Sequence, residues 1–249
     1  MKVLVTGGSS GIGRATALKL QEKGYKPVIF DLEEPDFEVN FFQGDVRDED
    51  RVEEVVDEVD FDVLVNCAGF YELGSIEDME KETAEKIFDT NVHGYLNFIR
   101  HSMPKLRKNN GRIVNITSVA GRVSIPFFGA YCGSKHAMES ISDSIRREQD
   151  EVEVTIVEPG VVETGFNRRA RAALEKHIPE SFYSEKYNEI LREDGMDGID
   201  ADQAGEIVYK AVVDENPKRR YQMPFRAKLI TWTSLLPHSV KDRIFEKVM

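Results

Sequence analysis

The sequence predicts an α/β protein of one domain, residues 1–249, and three observations carry that expectation. An apolar run, Val3-Leu4-Val5, reads as a buried parallel strand. It leads into a glycine-rich turn, Thr6-Gly7-Gly8-Ser9-Ser10-Gly11-Ile12-Gly13, and then into Arg14-Ala15-Thr16-Ala17-Leu18-Lys19-Leu20, a run of helix formers. The third observation is that 249 residues hold a full α/β core, with no Pro/Gly/Ser-rich linker or shift in composition to divide them.

Strand, glycine turn and helix in that order let a pyrophosphate approach the N–H groups at the helix start, where the dipole favours negative charge. A dinucleotide site is therefore expected, with Gly7, Ser9, Ser10, Gly11, Ile12 and Gly13 forming its cradle. Composition narrows the partners. A net charge of −12 would repel nucleic acid and anionic lipid. Two cysteines, Cys67 and Cys132, give neither a disulfide framework nor a metal cluster, so no metal is expected. No apolar run reaches spanning length, and a first strand starting at Lys2 leaves no room for a signal peptide, so a cytoplasmic protein is expected.

Beyond the first helix, Gly24 acts as a stop, and Pro27-Val28-Ile29-Phe30 reads as the second strand, ending at Asp31. An acidic residue 18 positions beyond Gly13 suits the adenosine ribose hydroxyls and repels a 2′-phosphate. With Leu32 rather than a cation beside it, NAD is favoured over NADP. Only Leu32 to Val39 separate this strand from the next, Val39 to Phe42, which is short for a helical crossover. Asp45 and Val46 follow in a position to meet an adenine ring, and Asp48 suits a helix N-cap.

Asp50 to Glu58 reads as an acidic amphipathic helix, and Asp62-Val63-Leu64-Val65-Asn66 as the fourth strand, entering Cys67-Ala68-Gly69. Those small residues leave room for the nicotinamide half of a cofactor, which assigns Asn66, Ala68 and Gly69 to it. A long helical stretch from Glu80 to about Arg107 contains Asn91, with Pro104 expected to kink or shorten its end. Arg112 to Thr117 forms an apolar strand with Ser118 at its C-terminal end, where open parallel sheets bind ligands. Tyr131 and Lys135, spaced i and i+4, share one helix face.

Together these residues resemble the short-chain dehydrogenase/reductase family. The matching pieces are Thr6-Gly7 through Gly11-Ile12-Gly13, Asp45, Asn66-Cys67-Ala68-Gly69, Asn91, Ser118, Tyr131 with Lys135, and Pro159-Gly160, in the family's order across residues 6–164. Two features depart from it: Cys67 stands where a second Asn is usual, and the second helix is missing.

The resemblance implies a Rossmann-like doubly wound sheet of about seven parallel strands with helices on both faces. It also implies a catalytic tetrad of Asn91, Ser118, Tyr131 and Lys135. Tyr131 would be the acid/base, its phenolate favoured by Lys135 and by a cationic nicotinamide. Ser118 would bond the substrate oxygen, Lys135 would also hold the ribose hydroxyls, and Asn91 would position a relay water. Val152 to Val157 alternates as a sixth strand. Beyond it, Pro159, Gly160, Val162 and Thr164 fall to the cofactor, with capping of the next helix as the competing role of Thr164.

Residues 165–200 read as polar and irregular, and the resemblance makes them a lid over substrate. Phe127, Phe128 and Phe166 are the candidate lining of an apolar pocket, against the alternative that they fill core or subunit contacts. Ala201 to Asp214 reads as a helix and Arg220 to Met223 as the last strand. The tail, about 223–249, would pack on the chain or a partner subunit, or else touch a membrane surface. The helices carrying Tyr131 and Asn91 resemble those through which family members pair, so a homodimer or homotetramer is expected. The functional expectation is an NAD-dependent oxidoreductase acting on an apolar, sterol-like secondary alcohol or its ketone. An NADPH-dependent carbonyl reductase and a non-catalytic dinucleotide-binding redox sensor are the alternatives.

Overall fold

Side chains that alternate along a parallel strand must be covered on both faces, and the chain meets that demand with two layers of helices. The computed structural model describes residues 1–192, 198–223, 236–237 and 239–243. In its first half, β1 (Lys2–Thr6) and α1 (Gly11–Glu22) are followed by β2 (Lys26–Asp31), β3 (Asn40–Gln43), α2 (Glu49–Glu58) and β4 (Val63–Asn66). Next come α3 (Lys81–Phe88), a π-helical turn at Asp89–His93, α4 (Gly94–Asn109), β5 (Arg112–Ile116), a short 3₁₀ turn at Val119–Gly121 and α5 (Gly129–Glu148). The rest comprises β6 (Glu153–Pro159), β7 (Val162–Glu163), α6 (Gly165–His177), α7 (Ser184–Arg192), β8 (Ile199–Asp200), α8 (Ala201–Val213) and β9 (Arg220–Met223).

Seven strands form one sheet in the order β3-β2-β1-β4-β5-β6-β9, every pairing parallel. The chain moves outward from β1 in one direction, returns, and continues from β4 in the other. That reversal between β1 and β4 opens a crevice at the carboxyl ends of the strands. Alternate residues feed the two layers. Leu4, Phe30, Leu64 and Ile113 pack with Val52 and Val55 of α2, Phe98 of α4 and Met138 of α5. Val3, Val5, Val65 and Val114 pack with Leu20 of α1 and Val208 and Val212 of α8. All of these are fully or nearly fully buried, and each such side chain contributes about 1.5–3 kcal/mol by leaving water.

The connection from β2 to β3 has no helix, and α1 secures it instead. Arg14 forms an ion pair with Asp36 and stacks over Phe37, and Gln21 donates to the Glu38 carbonyl. Asp48 caps α2 as expected, accepting from the Arg51 N–H.

Two expectations are corrected. Pro104 does not shorten its helix, which runs to Asn109; Pro104 is exposed, so the Arg100 carbonyl that its missing N–H leaves free can be hydrated. The irregularity lies instead at the π turn. Residues 165–200 are not irregular: α6 and α7 form there because Ala170, Leu174 and Tyr187 supply a buried face. A two-stranded parallel ribbon, β7 with β8, joins that segment to the turn after β6. Most of the tail lies outside the described residues. Among those described, no helix is long and apolar enough to cross a membrane, and no cluster of side chains could hold a metal ion.

Candidate active site

The glycine turn is shaped by close backbone approach. Gly7 has φ +67°, and a Cβ there would stand 2.7 Å from the backbone of Ala68; a Cβ on Gly13 would stand 2.1 Å from the Gly7 carbonyl oxygen. Only hydrogen fits at either place. Thr6 pins the neighbouring strand end, its hydroxyl accepting from the N–H groups of Cys67 and Ala68 at 3.1 and 3.2 Å. Ser10 begins α1 with no side-chain cap, so the first-turn N–H groups point toward the crevice without one. Ser9 donates its N–H to the Asp31 carboxylate at 2.9 Å, which places Asp31 at the mouth of the turn.

Asp45 is held by Arg47; burial raises its carboxyl, and the Arg47 hydrogen bonds more than offset that and keep it below its ordinary range. Val46 is buried, and its carbonyl accepts from Asn97. Asn66 is wholly buried and donates to Asn115 across the sheet at 2.9 Å, so its side chain faces the strands, while Ala68 and Gly69 are partly exposed at the strand end. Farther along, Pro159 ends β6, and Gly160 donates its N–H to Met223. Val162 is buried at the start of β7. Thr164 caps α6, its hydroxyl accepting from Phe166, while its methyl would meet a Cβ on Gly11 at 3.4 Å.

Four polar side chains converge beside this groove. Ser118 caps the 3₁₀ turn after β5; its hydroxyl accepts from Ala120 at 3.1 Å and donates to Pro159 at 3.3 Å. Tyr131 and Lys135 lie one helical turn apart on α5. Burial pushes the Tyr131 phenol up to about 12, against a downward pull from the Ser118 hydroxyl. The protein without a dinucleotide therefore favours the neutral phenol, because burial penalises the charged form. Lys135 is also buried, donating to the Ile116 carbonyl at 3.0 Å, and burial lowers its ammonium to about 8.

Asn91 sits in the π turn, where the extra residue turns its side chain inward. Its carboxamide accepts from the Phe70 N–H at 2.8 Å and donates to the Phe70 carbonyl and the Ser134 hydroxyl at 2.9 and 3.0 Å. It thereby ties the loop after β4 to α5.

The aromatic residues fall into two groups. Phe127, at φ +65°, packs edge-on against Tyr183 and Tyr187. Phe128 and Phe166 flank Tyr71, whose ring centre is 4.7 Å from that of Tyr131. Tyr71 also donates to Asn167, bridging α6 and Tyr131. Sequence reading missed Tyr71, and nothing local to it could have revealed the contact. It missed Asp78 too, which accepts from the hydroxyls of Ser75, Ser181 and Tyr187 and ties α7 and the turn before it to the loop after β4. A cavity of about 350 Å³ opens elsewhere, between Arg47 and the α4 residues Leu96 and Arg100.

Known proteins are similar to this chain in sequence and fold. A probable short-chain type dehydrogenase/reductase of Helicobacter pylori, VdlC, is 31% identical, over 99% of this chain and 97% of its own. A short-chain dehydrogenase/reductase of Burkholderia phymatum solved with NAD superposes with a TM-score of 0.76 at 25% identity, over 97% of this chain and 94% of its own. A Burkholderia cenocepacia short-chain dehydrogenase solved with NADP shares the fold with a TM-score of 0.82 at 22% identity, over 98% of this chain and 96% of its own. The family model described as short chain dehydrogenase matches residues 1–175, which contain the glycine turn, Ser118, Tyr131 and Lys135. With the doubly wound sheet and the Tyr-Lys pair on α5, that match places this chain in the short-chain dehydrogenase/reductase family of oxidoreductases.

Proposed function

We propose that this protein is an NAD-linked oxidoreductase of secondary alcohols or their ketones, acting on apolar substrates. The observation that carries this reading is the convergence of Ser118, Tyr131 and Lys135 at the carboxyl edge of the sheet, beside a turn that excludes Cβ atoms. A nicotinamide dinucleotide fits the residues present, since Gly7, Gly11 and Gly13 keep the cradle open and the α1 N–H groups meet it. When bound, it accepts or supplies the hydride and brings a positive ring charge in its oxidised form.

Ser118 exchanges its 3.3 Å bond to Pro159 for the substrate oxygen. Tyr131, neutral in the protein alone, gives its proton to a ketone oxygen, or takes one from an alcohol once added positive charge favours the phenolate. Lys135, at about 8, is mostly charged at neutral pH and serves that balance while holding ribose hydroxyls. Asn91 fixes the loop that leads to Tyr71. Tyr71, Phe128 and Phe166 present ring faces next to Tyr131, which suits an apolar carbonyl compound better than a small charged acid. Asp31 supports NAD: its carboxylate repels a 2′-phosphate, Leu32 beside it is exposed and uncharged, and Arg14 is held by Asp36.

The same proposal includes one domain, a lid over 165–200, cytoplasmic placement, and a homodimer or homotetramer; a monomeric mass by light scattering would remove the last. The main test follows NADH formation over secondary alcohols from small hydroxy acids to sterols, repeated with NADP. We expect turnover of apolar members with NAD, reduced about 10³-fold in Tyr131→Phe with dinucleotide binding retained. Equal turnover in Tyr131→Phe would reject the reading. Tight NAD binding without any turnover would favour a sensor.

A further inference from the structure

We propose that Glu139 is a positioning residue for the reacting pair: one carboxylate, a helical turn beyond Lys135, both anchors the strand end that carries Ser118 and maintains the Lys135 ammonium. This rests on the reading of Tyr131 and Lys135 as the reacting groups.

Glu139 is 6% exposed on α5, and Glu158, at the end of β6, is wholly buried. Both accept from the same guanidinium, that of Arg220 in β9. Gln222 donates to the second oxygen of Glu158, Asp143 takes the other arm of Arg220, and Arg122 lies 3.9 Å from Glu139. Buried ion clusters of this kind add little net stability, because desolvation cancels most of the attraction. Where this one reaches is more informative. The other oxygen of Glu139 accepts from the Thr117 hydroxyl at 2.5 Å, and Thr117 directly precedes Ser118. Spacing of i and i+4 puts Glu139 on the helix face of Lys135. A single side chain thus bonds the residue before Ser118 and shares a helix face with Lys135, within reach of its charge.

The titratable groups facing Lys135 are Tyr131 and Glu139 on α5, Cys67 after β4 and Tyr95 on α4. Burial pushes the Cys67 thiol to about 12 and raises both phenols, so these three are neutral at working pH. Burial raises the Glu139 carboxyl as well, while Arg220 and Thr117 act in the opposite direction and favour the carboxylate. Glu139 is the negative charge among these four groups. Removing it leaves Lys135 with desolvation and no anion to oppose it.

The test compares native protein, Glu139→Gln, Glu139→Asp and Thr117→Val by turnover against pH, with dinucleotide binding followed by fluorescence over the same range. Native activity should fall on the alkaline side near pH 8. In Glu139→Gln that limb should move down by about one pH unit, a roughly tenfold loss above it. Thr117→Val should lower kcat at every pH and leave the limb in place. Glu139→Asp, which keeps the charge but shortens the reach to Thr117, should behave like Thr117→Val, and it decides the matter should Glu139→Gln fail to fold. An unmoved limb in Glu139→Gln, or a limb displaced in Glu139→Asp, overturns the proposal. If native protein turns over no alcohol, the Tyr131 reading fails by itself, and the pH dependence of binding still decides the role of Glu139.

Discussion

The glycine turn and the α6–α7 segment border the same groove, yet they are held in place by different means. Around Gly7 and Gly13 the backbone itself is the structure: atoms approach so closely that no side chain fits, and Thr6 fixes the adjoining strand. In α6 and α7 the backbone is ordinary helix, and position comes from side chains far apart in sequence, with Asp78 holding Ser181 and Tyr187, and Phe127 meeting Tyr183. A surface made of backbone can bind a ligand common to many enzymes. One made of side-chain contacts can change with each substrate without disturbing the first.

Substitutions can break this contrast. The largest effect should come from Gly13→Ala, where the new methyl meets the Gly7 carbonyl at 2.1 Å. We expect a loss of about 3 kcal/mol in denaturant unfolding and at least about 100-fold weaker dinucleotide binding, because strand and helix must part. Next is Asp78→Asn, which removes the charge that accepts three hydroxyls. It should loosen the lid by about 1–3 kcal/mol. Hydrogen exchange should quicken in 165–192 while the amides of β1 and α1 keep their protection; equal change in both would show that the two regions are one unit.

The smallest effect should be a gain, at the seam between the regions. Lys135→Met removes a buried ammonium, and the Ile116 carbonyl it served still accepts from the Tyr95 hydroxyl at 3.0 Å. At pH 7 the variant should be more stable by about 2 kcal/mol, the desolvation relieved less one lost hydrogen bond, while turnover disappears. The sign with pH follows. Lys135 is lowered from its ordinary 10.5 to about 8, so between those values the unfolded chain binds the extra proton. Native stability should therefore rise from about pH 8 to 10.5, a component absent from Lys135→Met.

Legibility in the sequence followed the range of the interaction. The β1 turn, the Asp48 cap, the missing helix after β2 and the i, i+4 pair of Tyr131 and Lys135 are all short-range features, and the fold bears out their placement. Pro104 misled because a proline that breaks a buried helix is tolerated where its i−4 carbonyl faces water. The lid misled because Ala170, Leu174 and Tyr187 are few apolar residues among many charges, and their buried face exists only once Tyr71 and Leu73 arrive from the loop after β4. The burial of Tyr131 was not legible for a related reason: the spacing of a lysine is visible in sequence, while the depth at which the phenol sits is not.

By itself, then, the sequence determined the sheet strands, most of the helices and the residues offered to the groove, since strand period, helix period and glycine turns depend on neighbours within a few positions, while the doubly wound order was legible through the family resemblance. Only the tertiary structure decided that Tyr71 stands over Tyr131, that Asp78 ties α7 to the loop after β4, and that Arg220 reaches back to Glu139 from 81 positions away. Those contacts join segments whose separation along the chain leaves no periodic trace, and they form only when the sheet brings the carboxyl ends of its strands together.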